Sequence, residues 1–251
     1  MQKDEIILMK RLKELSAAAY QRDIVTFSDF LNLNELNILH TLPADMLSSK
    51  YICFGGYEYS ERQMAAFIPD ALSYGYRYPI SIVRISPLNC RFAEQLSHRD
   101  YLGAVLNLGL ERCKTGDILV FEDSAVIFCH DSIAGYLAEN LTRIRHTSVT
   151  AKKIEESDFQ YMPKFEEIKG SIASVRLDAL LSLAFGSSRS KLTSYIENGK
   201  VFVNGRLITS NGYQVHDNDI ISVRGLGRFL YDGMLSQTKK GRYYVTIRKY
   251  I

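Results

Sequence analysis

Residues 176–228 contain the blocks Arg176-Leu-Asp-Ala-Leu-Leu181, Ser187-Ser-Arg-Ser-Lys191, Asn198-Gly-Lys-Val-Phe-Val-Asn-Gly-Arg206 and Asp217-Asn-Asp-Ile-Ile-Ser-Val-Arg224. Apolar residues in and around the first two blocks recur at helical spacing, whereas the third block has two short apolar segments on either side of a turn. Its dipeptide Asn204-Gly205 is a strong hairpin signal, because both residues readily adopt a positive φ. The stretch therefore predicts two short helices followed by a tight hairpin.

The ends of these elements follow from their capping residues. Ser174 is predicted to cap a first helix that runs to about Phe185 and stops at Gly186. Ser188 is predicted to start the second helix, and Asn198-Gly199 closes it because glycine tolerates the left-handed conformation. The predicted extended segments are 201–203 and 206–208 in the hairpin, a strand with Ile220 and Val223, and a last hairpin over 228–251 that turns near Lys240-Gly241.

Basic residues concentrate in this C-terminal part. Residues 170–251 hold 12 Lys and Arg against 5 Asp and Glu, a net charge of +7, whereas residues 1–169 carry −4. A helix start offers free N–H groups and a positive dipole end to phosphate, and nearby cations strengthen that attraction. We therefore expect a surface that grips structured RNA through its backbone. Its candidate residues are Arg176, Ser188, Arg189, Lys191, Lys200, Asn204, Arg206, Arg224 and Arg228.

Several of these residues also have structural interpretations. Arg189 could instead form an ion pair with Asp178, whose place in a first helical turn favours the helix dipole rather than catalysis. The turn requires Asn204 and Gly205 whether or not RNA is bound. The basic residues near the predicted tip of the last hairpin could be merely solvated: Lys239, Lys240 and Arg242.

The preceding residues predict two further parts. An N-terminal α+β unit over 1–78 has helices at 4–21, from Asn34 to before Pro43 and at 61–67, and a strand at 51–54. Residues 79–154 predict the order β-α-β-β-α-β, and residues 155–173, with many charged groups, predict an exposed linker that is extended in its second half. The fold class is thus α+β with several domains, the last of which spans 174–251.

The middle part has the element order of RNA-recognition modules without their stacking motif. Its predicted elements are a strand at 80–88, a helix at 98–108, strands at 118–121 and 125–129 around a turn at Asp123-Ser124, a helical stripe from Ile133 to Ile144, and a strand at 147–151. The aromatic and basic residues that stack RNA bases are missing from the first and third strands. Because unrelated domains share this topology, it is weak evidence for RNA contact here.

Composition excludes several classes of protein. No apolar run approaches the roughly 20 residues needed to cross a bilayer, and acidic residues at the start of the chain argue against a signal peptide. We expect a cytoplasmic protein without membrane insertion. The four cysteines, Cys53, Cys90, Cys113 and Cys129, lack zinc-ligand or redox spacing. We therefore expect reduced thiols, no metal and no cofactor.

The C-terminal blocks resemble the S-four domain, also called the αL RNA-binding motif. That motif carries Arg-Leu-Asp at its first helix, Ser-Arg at its second and Gly-x-Val-x-Val-Asn-Gly in its hairpin. The matching residues are Arg176-Leu-Asp178, Ser188-Arg189 and Gly199-Lys-Val-Phe-Val-Asn-Gly205. The three blocks occur in the right order, and the resemblance covers roughly residues 174–236.

Further motifs extend the resemblance to the YlmH-type proteins of Gram-positive bacteria. They are Gly55-Gly-Tyr57, Glu61-Arg62, the segment from His98 to Gly109, Gly116-Asp-Ile118 and Arg224-Gly-Leu-Gly-Arg-Phe229. The resemblance implies association with the large ribosomal subunit and rescue of stalled nascent chains. It also implies a link to cell division through neighbouring genes.

Three function classes follow. We favour a non-enzymatic, monomeric factor that binds rRNA or tRNA on the large ribosomal subunit. An RNA-modifying enzyme docked by its S-four domain is the alternative, but the only Arg-Leu-Asp belongs to the binding motif, and Gly225-Leu-Gly227 is too short for a methyltransferase loop. A scaffolding role in division, with a protein partner bound by the N-terminal body, is compatible with the first class.

Overall fold

The computed structural model describes residues 3–70, 75–238 and 241–251. The chain divides into two units, Met1–Tyr161 (unit 1) and Met162–Ile251 (unit 2). Helices and antiparallel sheets occur in both units, which confirms the predicted α+β class. Within the described ranges, no helix is both long and apolar enough to cross a bilayer.

The elements of unit 1 are, in chain order, α1 (Lys3–Arg22), β1 (Thr26–Phe27), α2 (Leu33–Thr41), β2 (Lys50–Phe54), β3 (Met64–Ile68), β4 (Ile80–Pro87), α3 (His98–Asn107), β5 (Thr115–Val120), β6 (Ala125–His130), α4 (Asp131–Asn140), β7 (Arg143–Ile144) and β8 (Thr147–Ile154). The helices α1, α2 and α3 and the strands β2, β4, β5, β6 and β8 lie where the sequence predicts them.

The N-terminal sheet corrects one prediction. Its strand order is β1-β3-β2, so that β3 pairs with a neighbour on each side. The helix predicted at 61–67 is therefore wrong, and the short strand β1 was not predicted. Residues 64–67 are fully buried. Because a short run buried on both faces has no polar residue to reveal its period, periodicity alone cannot distinguish strand from helix.

The second sheet of unit 1 confirms the split βαβ arrangement. Its order is β5-β6-β4-β8-β7, in which the first and third predicted strands, β4 and β6, lie in the centre. The helical stripe predicted to reach Ile144 is too long, because α4 ends at Asn140. Arg143 and Ile144 form β7 and pair with β8, so Ile144 reaches the core from a strand.

Both faces of this sheet are covered. Helices α3 and α4 pack on one face against residues such as Val83 and Ile127. On the other face, Phe30, Tyr57 and Met64 from the N-terminal part pack with a set of residues of the sheet: Ile80, Ile82, Val126 and Phe128. Residues 1–78 and 79–154 thus share a core, and their independence as folding units stays a prediction.

The elements of unit 2 are β9 (Phe165–Ile172), α5 (Leu177–Phe185), α6 (Arg189–Glu197), β10 (Val201–Val203), β11 (Arg206–Leu207), β12 (Ile220–Val223), β13 (Gly227–Gln237) and β14 (Tyr243–Tyr250). The predicted hairpins and both helices are present. The turn predicted near Lys240 and the side chains of Lys239 and Lys240 lie outside the described residues.

Unit 2 is a six-stranded antiparallel sheet with the order β11-β10-β12-β13-β14-β9. Helices α5 and α6 bury Leu177, Leu180, Leu192 and Ile196 in the main apolar core. The second half of the linker predicted over 155–173 is extended as expected, and residues 165–172 also pair along their whole length with β14. Charged residues suggested exposure, and they do lie at exposed positions of this edge strand.

Candidate nucleic-acid interface

The start of α6 is open to solvent. Ser188 is the N-cap and its hydroxyl accepts a hydrogen bond from the backbone N–H of Lys191 at 3.4 Å, as the sequence predicts. Ser188, Arg189 and Lys191 are all exposed. A helix start with a positive dipole end and two cations in its first turn is a favourable position for phosphate.

The start of α5 is occupied by the protein itself. The predicted cap Ser174 is wrong, because the N-cap lies two residues later, at Arg176. The backbone N–H groups of Leu177 and Asp178 donate to the carbonyl oxygens of Tyr213 and Asn211, at 2.9 and 3.4 Å. These carbonyls satisfy donors that a phosphate would otherwise use, so α5 does not offer the same type of site.

Arg176 is partly committed to structure. Its Nε and a terminal nitrogen donate to the two carboxylate oxygens of Asp178 at 3.1 and 3.2 Å. The same carboxylate accepts from the backbone N–H of Ala179 at 3.0 Å. The ion pair considered between Arg189 and Asp178 is therefore replaced by one with Arg176, whose side chain is still 42% exposed.

Asn204 is a structural residue of the hairpin. Asn204 and Gly205 have φ of 48° and 78°, as a two-residue type I′ turn requires. The Asn204 amide donates to a carboxylate oxygen of Asp219 at 2.7 Å, and its oxygen accepts from the N–H of Ile220 at 2.9 Å. With its side chain used in this way, Asn204 supports the position of the neighbouring exposed Arg206.

Three further candidate cations lie over aromatic rings. The Lys200 ammonium is 5.3 Å from the centre of the Tyr195 ring, and the Arg224 guanidinium is 5.2 Å from that of Phe202. Arg228 lies 4.2 Å from the centre of the Tyr250 ring. A cation held over a ring loses less side-chain freedom when it binds a phosphate.

The candidates form separate groups. Ser188, Arg189 and Lys191 share the start of α6. A second group, Lys200 and Arg224, lies beyond the other end of that nine-residue helix, which is about 14 Å long. Here the N–H of Arg224 donates to the carbonyl of Lys200 at 2.9 Å. Asn204 lies in the hairpin turn that follows β10, and Arg206 lies directly after that turn. Arg176 belongs to neither group and is paired with Asp178. That these groups act as one RNA-binding face stays a prediction.

Most of these cations have no carboxylate partner. In the described part of the chain, no ion pair forms to any member of this set: Arg189, Lys191, Lys200, Arg206 and Arg224. Their positive charge is thus available to a polyanion, and binding would require little reorganisation of existing pairs.

The companion motifs of unit 1 meet in a cluster that the sequence did not predict. The Tyr57 hydroxyl donates to Asp117 at 2.8 Å, and the backbone N–H groups of Glu61 and Arg62 donate to the same carboxylate at 2.7 and 3.0 Å. Three of the separated motifs, around Tyr57, Arg62 and Asp117, therefore make one joint. The sequence offered one indication of this contact, namely that all three motifs belong to the resemblance to the YlmH-type proteins. Their spacing along the chain does not predict that they meet.

Two arginines complete this joint. Arg62 donates to the carbonyl oxygens of Thr115, Phe30 and Arg112 at 2.9, 3.1 and 3.2 Å. Arg112 donates to those of Thr115 and Gly116 at 2.6 and 3.2 Å. Burial lowers the pKa of Arg62, and burial with the nearby Arg62 charge lowers the pKa of Arg112 to about 10. These cations hold the unit together and are not placed to bind RNA.

Two regions match known domain families. Residues 76–158 match the family described as the putative RNA-binding domain in YlmH, and residues 175–221 match the S4 domain, the S-four domain of the sequence resemblance. The first match covers the second, five-stranded sheet of unit 1, whose strands are β4 to β8. The second covers α5, α6 and the hairpin, where the candidate cations concentrate.

Two known proteins are similar to the chain over long stretches. "Ribosome-associated protein quality control protein P2" of Bacillus subtilis (strain 168) is 29% identical over 252 residues, which cover 98% of this chain and 96% of that protein. The structure of "Cell division protein ylmH from Streptococcus pneumoniae" matches with a TM-score of 0.51 and 22% identity, over 63% of this chain and 95% of that one. The latter likeness concerns the fold alone. The two domain matches and the Bacillus relative support a protein of the YlmH type with an S4 domain over residues 175–221.

Proposed function

We propose that this protein is a non-enzymatic factor that grips structured rRNA or tRNA on the large ribosomal subunit, in the quality control of stalled nascent chains. The observation that carries the proposal is the exposed start of α6, with Arg189 and Lys191 in its first turn and without carboxylate partners in the described chain. Such a site binds the phosphates of folded RNA without reading bases.

The relative supports the setting of this activity. The Bacillus subtilis protein is named as ribosome-associated and as a quality control protein, and it aligns with nearly the whole of this chain. Such a factor would act in the cytoplasm, and we propose a monomer whose partners are the large subunit and its RNA. A direct role in division stays a prediction, because the Streptococcus likeness concerns the fold.

The role of Asp178 favours binding over catalysis. A pseudouridine synthase would need a catalytic aspartate in an Arg-Leu-Asp context, and Asp178 is the one residue in such a context. Its carboxylate is buried and accepts hydrogen bonds from Arg176 and from the N–H of Ala179. A carboxylate used in this way anchors the helix start and has little freedom to attack a base.

Cosedimentation with large ribosomal subunits at several salt concentrations tests the proposal. In the variant Arg189→Ala with Lys191→Ala, two charge-assisted hydrogen bonds of about 1.5 kcal/mol each would be lost, which weakens binding roughly a hundredfold. The slope of log K against log salt should fall by about 2, since each phosphate contact contributes about 1.

The control removes the same charge elsewhere in unit 2. Lys164→Ala with Lys169→Ala changes two exposed lysines outside the candidate set and should bind subunits like the unchanged protein. If the Arg189 and Lys191 variant also binds with unchanged affinity and salt slope, the assigned RNA-binding site is wrong. Mass analysis of nucleosides after incubation with rRNA or tRNA tests the enzyme alternative, and a stoichiometric new modification would overturn the non-enzymatic role.

A further inference from the structure

Unit 1 contains an aromatic cavity outside the surface described above. The cavity has a volume of about 210 Å³ and lies where β2 and the segment before β4 meet the end of β8. Three aromatic residues, Phe54, Tyr76 and Tyr78, and two basic residues, Arg77 and Lys153, are among those that line it. Most of its lining residues fall within residues 76–158, the stretch that matches the putative RNA-binding domain.

The rings of this cavity are held in place. The centres of the Phe54 and Tyr78 rings are 5.4 Å apart, and those of Tyr76 and Tyr78 are 5.9 Å apart. The Tyr78 hydroxyl donates to the carbonyl oxygen of Ile52 at 2.8 Å. Burial, together with the neighbouring Tyr76, raises the pKa of Tyr78, so it remains a neutral donor. An aromatic wall fixed in this way can stack a flat ligand with little loss of entropy.

Cations at the same site have no carboxylate partner. Arg77 and Lys153 are exposed, and within residues 3–70, 75–238 and 241–251 neither forms an ion pair.

Two residues with carboxylate side chains, Glu155 and Glu156, are also among those that line the cavity. They are unsuited to a phosphate but can accept hydrogen bonds from the amino groups of bases. The cavity thus combines aromatic rings, cations and acceptors, which suits a nucleotide better than a purely apolar or purely anionic ligand.

We propose that this cavity takes one unstacked base from a single-stranded segment of RNA, with Tyr76 stacking on the base and Arg77 and Lys153 contacting its phosphates. The proposal rests on the proposed function in that it takes RNA as the partner. In this proposal, unit 1 binds a single base of an unpaired segment, whereas the start of α6 in unit 2 binds the phosphate backbone of folded RNA. Single-stranded RNA is commonly recognised by such stacking on aromatic side chains.

The fold explains why an RNA site would lie at the edge of this sheet. In an RNA-recognition module, bases stack on the open face of the sheet. Here that face is covered by Phe30, Tyr57 and Met64, which pack on Val126 and Phe128. The aromatic cavity at the start of β4 and the end of β8 lies beside this covered face.

The test uses the full chain carrying Arg189→Ala with Lys191→Ala, so that the grip on folded RNA is weakened. The probes are a short, fluorescein-labelled single-stranded RNA of mixed sequence and its abasic counterpart with the same phosphates. Fluorescence anisotropy should show tighter binding of the base-containing RNA, roughly tenfold, because stacking of one base contributes about 1–3 kcal/mol. Equal affinity for the two RNAs would overturn the proposal without any substitution in the cavity.

Variants then locate the site. Tyr76→Ala should abolish the difference between the two RNAs, whereas Tyr76→Phe should keep it. Arg77→Ala should weaken both RNAs, and the control Arg91→Ala, which removes an exposed arginine outside the cavity, should change neither. If Tyr76→Ala and Arg77→Ala both bind like the parent chain, or if the cavity proves to bind a protein ligand alone, the proposal is wrong. Binding of subunits by the chain with an intact α6 start is measured separately, so failure of the proposed function is distinguished from failure of the cavity.

Discussion

In unit 1, Arg62 and Arg112 direct their guanidinium groups inward onto main-chain carbonyl oxygens, whereas in unit 2 Arg189, Arg206 and Arg224 extend into solvent. Arg62 joins the N-terminal part to the segment that leads into β5, and Arg112 holds the start of that strand. The outward set has no carboxylate partner in the described chain. The same residue type therefore stabilises one unit and is available for binding in the other.

The difference shows that the number of cations does not measure RNA affinity. Burial lowers the pKa of Arg62. Its buried guanidinium group is stabilised because main-chain carbonyl oxygens accept the hydrogen bonds that water would otherwise accept. A solvated arginine keeps its charge available, and counterion release then contributes to binding of a polyanion. Net charge points to unit 2, but only the partners of each side chain show which cations can bind RNA.

The largest effect that would sharpen this comparison is expected from Arg62→Met. The substitution removes three hydrogen bonds and leaves the carbonyls of Thr115, Phe30 and Arg112 without this donor. We expect unit 1 to lose about 3 kcal/mol of unfolding free energy. Hydrogen–deuterium exchange resolved along the chain measures that loss in unit 1 and protection of unit 2 in the same sample.

Arg99→Met is the matched control for this experiment. Arg99 is exposed, so its replacement should change the unfolding free energy by no more than about 0.5 kcal/mol. Salt-sensitive binding to large subunits should persist in the Arg62 variant under conditions where both units are folded. If Arg62→Met left the exchange of unit 1 unchanged, the inward arginines would not be structural and the comparison would fail.

An effect of intermediate size distinguishes a residue that holds the hairpin of unit 2 in place from a residue that is proposed to contact RNA. Asn204→Ala removes two side-chain hydrogen bonds and disfavours the positive φ, so unit 2 should lose about 2 kcal/mol of stability. Arg206→Ala, two residues away, should leave stability within about 0.5 kcal/mol and weaken subunit binding roughly tenfold. Thermal unfolding and cosedimentation measure the two quantities, and a stable Asn204→Ala variant with lost binding would mean that Asn204 contacts RNA directly.

The smallest effect concerns pH. Partial burial, with the nearby Arg112 charge, lowers the pKa of His98 below its ordinary value. The unfolded chain then takes up the proton more readily, so the contribution of His98 to stability is present above pH of about 6.5 and is lost as the pH falls toward 5. His98→Gln should reduce the pH dependence of exchange in unit 1 over that window. Because His98 keeps contact with solvent, the change is small, and an unaltered pH profile would contradict it.

Local signals predicted unit 2 well. Gly186, Ser188 and Asn204-Gly205 fix helix ends and a turn through their own backbone preferences, and all are found in those roles. The predictions were wrong where contacts with residues distant in sequence determine the local structure. Carbonyls from residues 211 and 213 cap α5 in place of Ser174, and pairing with β1 and β2 makes residues 64–68 a strand where a helix was expected.

The candidate site divides in the same way. The sequence identified which residue types gather at the turns of residues 176–228, but it gave Arg176, Asn204 and Arg189 equal standing. The structure separates them, because Asp178 holds Arg176 and Asp219 holds Asn204, while Arg189 faces solvent. Hydrogen-bond partners across a fold are not encoded in the spacing of a short motif.

By itself, the sequence determined the resemblance to the YlmH-type proteins, the α+β class, the order of elements in the S4 domain and the concentration of positive charge near the C-terminus. Those properties depend on local backbone preferences and composition, which act over a few residues. Only the tertiary structure decided which arginines are buried, that Met64–Ile68 is a central strand, and that aromatic rings before β4 line a cavity. These properties depend on contacts between residues far apart in the chain, because burial and desolvation are set by the whole packed unit.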